Sequence, residues 1–75
     1  MPSIEINTLK IKSKRVELNL RQVHMAKLIN CSTTTYSKKE CGKVDFNGKE
    51  LLIVSQALHI PMEELYIFNN NLTQT

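Results

Sequence analysis

The stretch QVHMAKLINCSTTTYSKKECG, Gln22 to Gly42, leaves the chain few folding options. Met25, Ala26 and Ile29 fall at i, i+1 and i+4, which is one apolar face of a short helix over about Gln22 to Ile29. Asn30 follows, a residue that tolerates positive φ and so ends helices. Ser32 then offers a hydroxyl as N-cap for a second helix starting at Thr33. On that helix Tyr36 alone is large and apolar, while Thr33, Thr34, Ser37 and Lys38 share the other face. Such a face is slim, rich in donors and positive. It suits a helix lying in the major groove of DNA, where short polar side chains reach base edges.

Charge agrees with that reading. The 75 residues carry a net +3, unevenly spread. Thr8 to Val44 holds nine Lys/Arg against Glu17 and Glu40, whereas Asp45 to Thr75 holds Lys49 against Asp45, Glu50, Glu63 and Glu64. The excess of positive charge lies on the segment with the two short helices, which points to a polyanionic partner. An apolar share of 41% with two Gly and two Pro predicts one small helical domain over residues 1–75, with its core at about 8–68. No apolar run approaches a membrane span and no signal-peptide pattern opens the chain, so a soluble, cytoplasmic protein is expected.

A first helix is expected from Thr8 to Leu18, with Ile11 and Leu18 seven apart and Leu9 and Val16 widening the apolar face. Met1 to Asn7 has no clear role beyond some packing by Ile4 and Ile6. Beyond Gly42, Asn47 and Glu50 form a capping box, and Phe46 can staple onto Leu51. The helix they start runs to about Leu58 with Leu51, Val54 and Leu58 inward; His59 ends it. Pro61 suits the first position of a fifth helix that packs Leu65 inward and ends near Phe68, before a polar tail, Asn69 to Thr75.

The Gln22–Gly42 stretch resembles the helix-turn-helix of the phage repressor and Cro family, the XRE-type regulators. Gln22, Met25-Ala26, the turn residue Asn30 and Glu40-x-Gly42 carry the resemblance, which extends over roughly residues 9 to 66. Arg21 departs from it by standing where the family has a Ser or Thr cap, and Asn19 and Asn30 stand where Gly is usual. The resemblance implies an all-α, five-helix fold of the lambda-repressor type. It also implies a partly buried ion pair between Arg15 and Glu40. Thr33, Thr34, Ser37 and Lys38 fall on the family's base-reading positions, with Arg21, Gln22 and Lys43 placed for phosphates. Members bind double-stranded DNA as two-fold dimers, and Tyr66, Ile67 and Phe68 form the expected dimer surface, because one helix cannot bury three consecutive large apolar residues.

The function expected is sequence-specific transcriptional regulation, most simply a repressor of phage or mobile-element type. A protein-interaction module, such as an antitoxin or an antagonist of a larger regulator, stays open as the alternative. An enzyme is not expected: no Ser, Cys or His sits in a nucleophile motif, and the chain is too short to enclose much of a pocket. Cys31, Cys41, His24 and His59 lack CxxC or HxxxH spacing, so neither a metal, a disulfide nor a cofactor is expected.

Overall fold

Five short helical or turn segments and two strands make up the computed structural model, which describes residues 2–70. In chain order they are β1 (Pro2–Ile6), α1 (Thr8–Glu17), α2 (Gln22–Leu28), α3 (Thr33–Glu40) and α4 (Gly48–Leu58). A single 3-10 turn (Met62–Leu65) and β2 (Tyr66–Asn70) complete the chain.

The helix starts are those that the cap residues dictate. Asn7 accepts from the Lys10 N–H at 3.1 Å, and Ser32 Oγ accepts from the Thr35 N–H at 3.0 Å. Asn47 and Glu50 close the capping box, at 2.8 and 3.0 Å. Replacing Asn47 by Ala should cost about 1 kcal/mol. In a domain of this size, calorimetry should show that as a melting point lower by roughly 4–8 °C.

All four helices stop in the same way. A residue with positive φ, namely Asn19, Asn30, Gly42 or His59, follows each one. The next residue then reaches back five positions: Leu20 to Arg15 at 3.0 Å, Cys31 to Ala26 at 2.9 Å, Lys43 to Lys38 at 2.9 Å, Ile60 to Ser55 at 3.0 Å. These bonds satisfy carbonyls that the helix ends leave orphaned.

The core gathers one stripe from each helix: Ile11 of α1, Met25 and Ala26 of α2, Tyr36 of α3, and Leu51, Val54 and Leu58 of α4. Ile29, Phe46, Ile60 and Leu65 close it from the connections. Tyr36 and Phe46 meet edge to face, with ring centroids 6.1 Å apart.

Three expectations are corrected. The fifth helix is absent. Only Met62–Leu65 turns, as a 3-10 segment, and Tyr66–Asn70 pairs antiparallel with β1, placing Ile4 opposite Phe68 and Ile6 opposite Tyr66. Tyr, Ile and Phe in succession favour the pleated state, and the alternating Ile4 and Ile6 supply its partner. Pro2–Ile6 therefore has a role, as the strand that completes this sheet, and Asn69–Asn70 belong to β2 rather than to a tail; residues 1 and 71–75 lie outside those described. The third correction concerns α1, which buries only Ile11 and Arg15. Leu9 and Val16 are 73% and 56% exposed, because they share a stripe more than ~140° around the helix from Ile11.

Candidate nucleic-acid interface

The packing of α3 against the core decides which of its side chains meet solvent. Tyr36, Lys39 and Glu40 are buried, so the stripe about 180° away, running through Thr34, Lys38 and Cys41, points outward. Thr33, Thr34 and Lys38 are exposed and Ser37 is half-buried beside them. The four residues expected to read bases thus lie together on one open arc. Cys41 extends that arc at i+7 from Thr34, an extension the helical spacing alone already contained.

Two ion pairs fix the roll of α3. Glu40 accepts a bidentate pair from Arg15, Nε at 2.8 Å and a terminal nitrogen at 3.0 Å, with the Glu40 side chain 2% exposed. The same carboxylate accepts from the Tyr36 hydroxyl at 2.7 Å and from Gln22 Nε2 at 3.1 Å. Arg15 also donates to the Leu20 carbonyl at 2.8 Å. One carboxylate therefore ties α1, α2, α3 and the α1–α2 link together.

Burial works to raise the pKa of Glu40, but the hydrogen bonds from Arg15, Tyr36 and Gln22 outweigh it and hold the carboxyl below its ordinary range. The Tyr36 hydroxyl is pushed strongly upward, first by burial and then by its bond to Glu40, so it remains a donor. Arg15 is held above its ordinary value by its hydrogen bonds to Glu40.

The second pair was not foreseen. Lys39 Nζ donates to Glu50 Oε1 at 2.5 Å, with the side chains 11% and 14% exposed. It joins the last turn of α3 to the capping box of α4. Lys39 lies at i+3 from Tyr36, so the helical wheel places it on the core side rather than among the wet lysines. Burial opposes ionisation of Glu50, but the Lys39 contact and the Asn47 N–H hold its pKa below the usual range.

The residues expected at phosphates are spread around this arc. Arg21 is the exposed N-cap of α2; guanidinium has no acceptor, so its side chain caps nothing. Its backbone N–H donates instead to His24 Nδ1 at 3.1 Å. Lys43 is exposed in the loop after α3. Gln22 is half-buried, and Nε2 spends one hydrogen on Glu40, leaving the second for another acceptor. Among the described residues, Arg21, Lys38 and Lys43 form no ion pair, whereas Lys10 and Lys14 pair with Glu64 and Glu17.

A family model described as helix-turn-helix matches residues 11–65. The chain belongs to this helix-turn-helix family, of the Cro/XRE type. The match runs from Ile11 to Leu65 and takes in α1 from its fourth residue, all of α2, α3 and α4, the buried Arg15–Glu40 pair and the outward arc of α3. Helix-turn-helix proteins of this type are DNA-binding transcription regulators rather than enzymes, and their partner is double-stranded DNA. No curated protein and no solved structure matches the chain significantly. None of the helices among the described residues is long and apolar enough to cross a membrane.

Proposed function

We propose that the protein is a sequence-specific repressor of phage or mobile-element type that lays α3 in the major groove of its operator. The observation that carries this reading is the open arc of Thr33, Thr34, Ser37 and Lys38 on a helix whose roll is held by the buried Arg15–Glu40 pair and the half-buried Lys39–Glu50 pair. Thr34 and Lys38 project furthest; Lys38 suits guanine O6 and N7, and a Thr methyl suits the thymine methyl. Arg21, Lys43 and the second amide hydrogen of Gln22 bind phosphates on either side and set the register. The place of action is the cytoplasm, at the nucleoid.

One helix reads too few base pairs to single out a site in a genome, so the protein acts as a homodimer on paired half-sites. The Tyr66, Ile67 and Phe68 region supplies the contact, now as part of β2. The exposed Ile4 and Phe68 equally favour a second reading, in which the sheet binds another protein, as in an antitoxin.

Selection of duplexes from a random library with the purified protein tests the proposal. A short, two-fold-symmetric motif should emerge; an unenriched pool favours the protein-interaction reading. Replacing Lys38 by Ala should cost about 1–3 kcal/mol on the selected site and relax preference at one base pair per half-site. A uniform loss across all duplexes would instead place Lys38 on the backbone.

A further inference from the structure

The start of α2 is built differently from those of the other helices. Asn7, Ser32 and Asn47 cap α1, α3 and α4 with side-chain oxygens, which accept hydrogen bonds at any ordinary pH. At α2 the N-cap is Arg21, whose guanidinium accepts nothing. The cap is closed from the other side. The His24 N–H donates to the Arg21 carbonyl at 3.0 Å, and the Arg21 N–H donates back to His24 Nδ1 at 3.1 Å. Glu or Gln ordinarily accepts that second bond. An imidazole nitrogen can do so only while it carries no proton.

The accepting Nδ1 leaves the hydrogen of the neutral ring on Nε2. A second proton goes on Nδ1, sets two donors face to face and ends the bond. The surroundings offer the new charge no partner. His24 is exposed, roughly 150° round α2 from the buried face of Met25, Ala26 and Ile29. On its own side the charged neighbours are Arg21 and Lys27, both cationic. On the buried side, Arg15 of α1 and Glu40 of α3 are bound to each other, and Lys39 is bound to Glu50. Lys38 lies on the open arc of α3, and Glu17, in the last turn of α1, pairs with Lys14. Among the described residues His24 forms no ion pair. The positive end of the helix dipole also falls at this turn and disfavours an imidazolium.

We propose that His24 is a proton-sensitive positioning residue: its neutral ring holds the first turn of α2, and protonation releases the turn that carries Arg21 and Gln22. Gln22 also donates to Glu40, so the released turn slackens one bond on the buried carboxylate. Affinity for DNA then weakens as pH falls through the range in which imidazoles titrate, about pH 8 to 5. That consequence rests on the reading above, in which Arg21 and Gln22 bind phosphates; the cap itself does not.

Amide exchange on the full chain without DNA, wild type against His24→Gln, tests the cap, because Gln keeps an acceptor there and does not titrate. At about pH 8 the Arg21 amides of the two should exchange alike. At about pH 5.5 the wild-type Arg21 amide should exchange ~5-fold faster, while the Thr35 and Glu50 amides stay matched. Anisotropy on one selected duplex reads the consequence. Over the same range wild-type affinity should fall ~5-fold relative to His24→Gln, and His24→Ala should be weak throughout. Matched Arg21 exchange at the lower pH overturns the proposal. So does a wild-type affinity that gains on His24→Gln in acid, which would make the imidazolium itself a phosphate contact. If no variant binds any duplex the DNA reading fails, and the Arg21 amide still decides the cap.

Discussion

Glu40→Gln should lower the unfolding free energy by about 3–5 kcal/mol, because it strips a buried Arg15 of its counter-charge. At about 0.05–0.15 kcal/mol per residue, that is a large part of what a domain of this length has. Arg15→Met should be similarly severe, leaving Glu40 charged with only Tyr36 and Gln22 as donors. Changing both together to apolar residues should recover part of the loss, since a buried pair offsets its own desolvation poorly. Thermal melts of the three variants check this; unchanged melting points in both single variants would show that the pair contributes nothing. Acid should act through the same group. The folded pKa values of Glu40 and Glu50 lie below the free value, so their stabilisation is complete above the unfolded pKa of about 4.3 and is lost as pH falls through the folded values. The wild type should therefore lose stability steeply below about pH 4, and Glu40→Gln should show a shallower dependence.

What could be read from sequence was local. Ser32, Asn47 with Glu50, and the stops at Asn30 and His59 each announce themselves within a few residues, and the structure bears them out. The Arg15–Glu40 pair spans 25 positions, and only the family resemblance suggested it. The sheet had no comparable signal. Residues 2–6 and 66–70 meet across the whole length of the domain, and three consecutive apolar residues fit a strand or a helix equally well. On α1, the seven-residue spacing of Leu9 and Val16 identified a real stripe but on the wrong side. Arg15 must reach Glu40, and that need sets the roll of the helix. For the candidate site, the outward arc of α3 was legible from the position of Tyr36. The second use of Gln22, as a donor to Glu40, and the withdrawal of Lys39 into a pair with Glu50 were not, since both depend on a partner distant in sequence.

Affinity for duplex DNA should depend steeply on salt. With about four to six phosphates neutralised per protomer at roughly 0.9 log units each, raising salt from about 50 to 200 mM should weaken binding on the order of 10²–10³-fold. The structure also sorts the basic residues for this experiment. Arg21 and Lys43 are exposed without ion pairs among the described residues, so alanine at either should reduce the slope by about one unit and weaken all duplexes alike. Lys10 holds Glu64 at 2.5 Å, away from the arc, so Lys10→Ala should leave the slope unchanged. Lys39 is the sharper control because it sits on α3 itself. Buried against Glu50, it has no free charge to give a phosphate, so Lys39→Met should leave the salt slope intact while lowering the melting point. That variant should also blur base preference, since it releases one of the two clamps on the roll of α3. Salt titrations by fluorescence anisotropy on one selected duplex measure all four variants. If Lys10→Ala or Lys39→Met flattens the slope as much as Arg21→Ala does, the phosphates follow a different face of the molecule and α3 is not the helix in the groove.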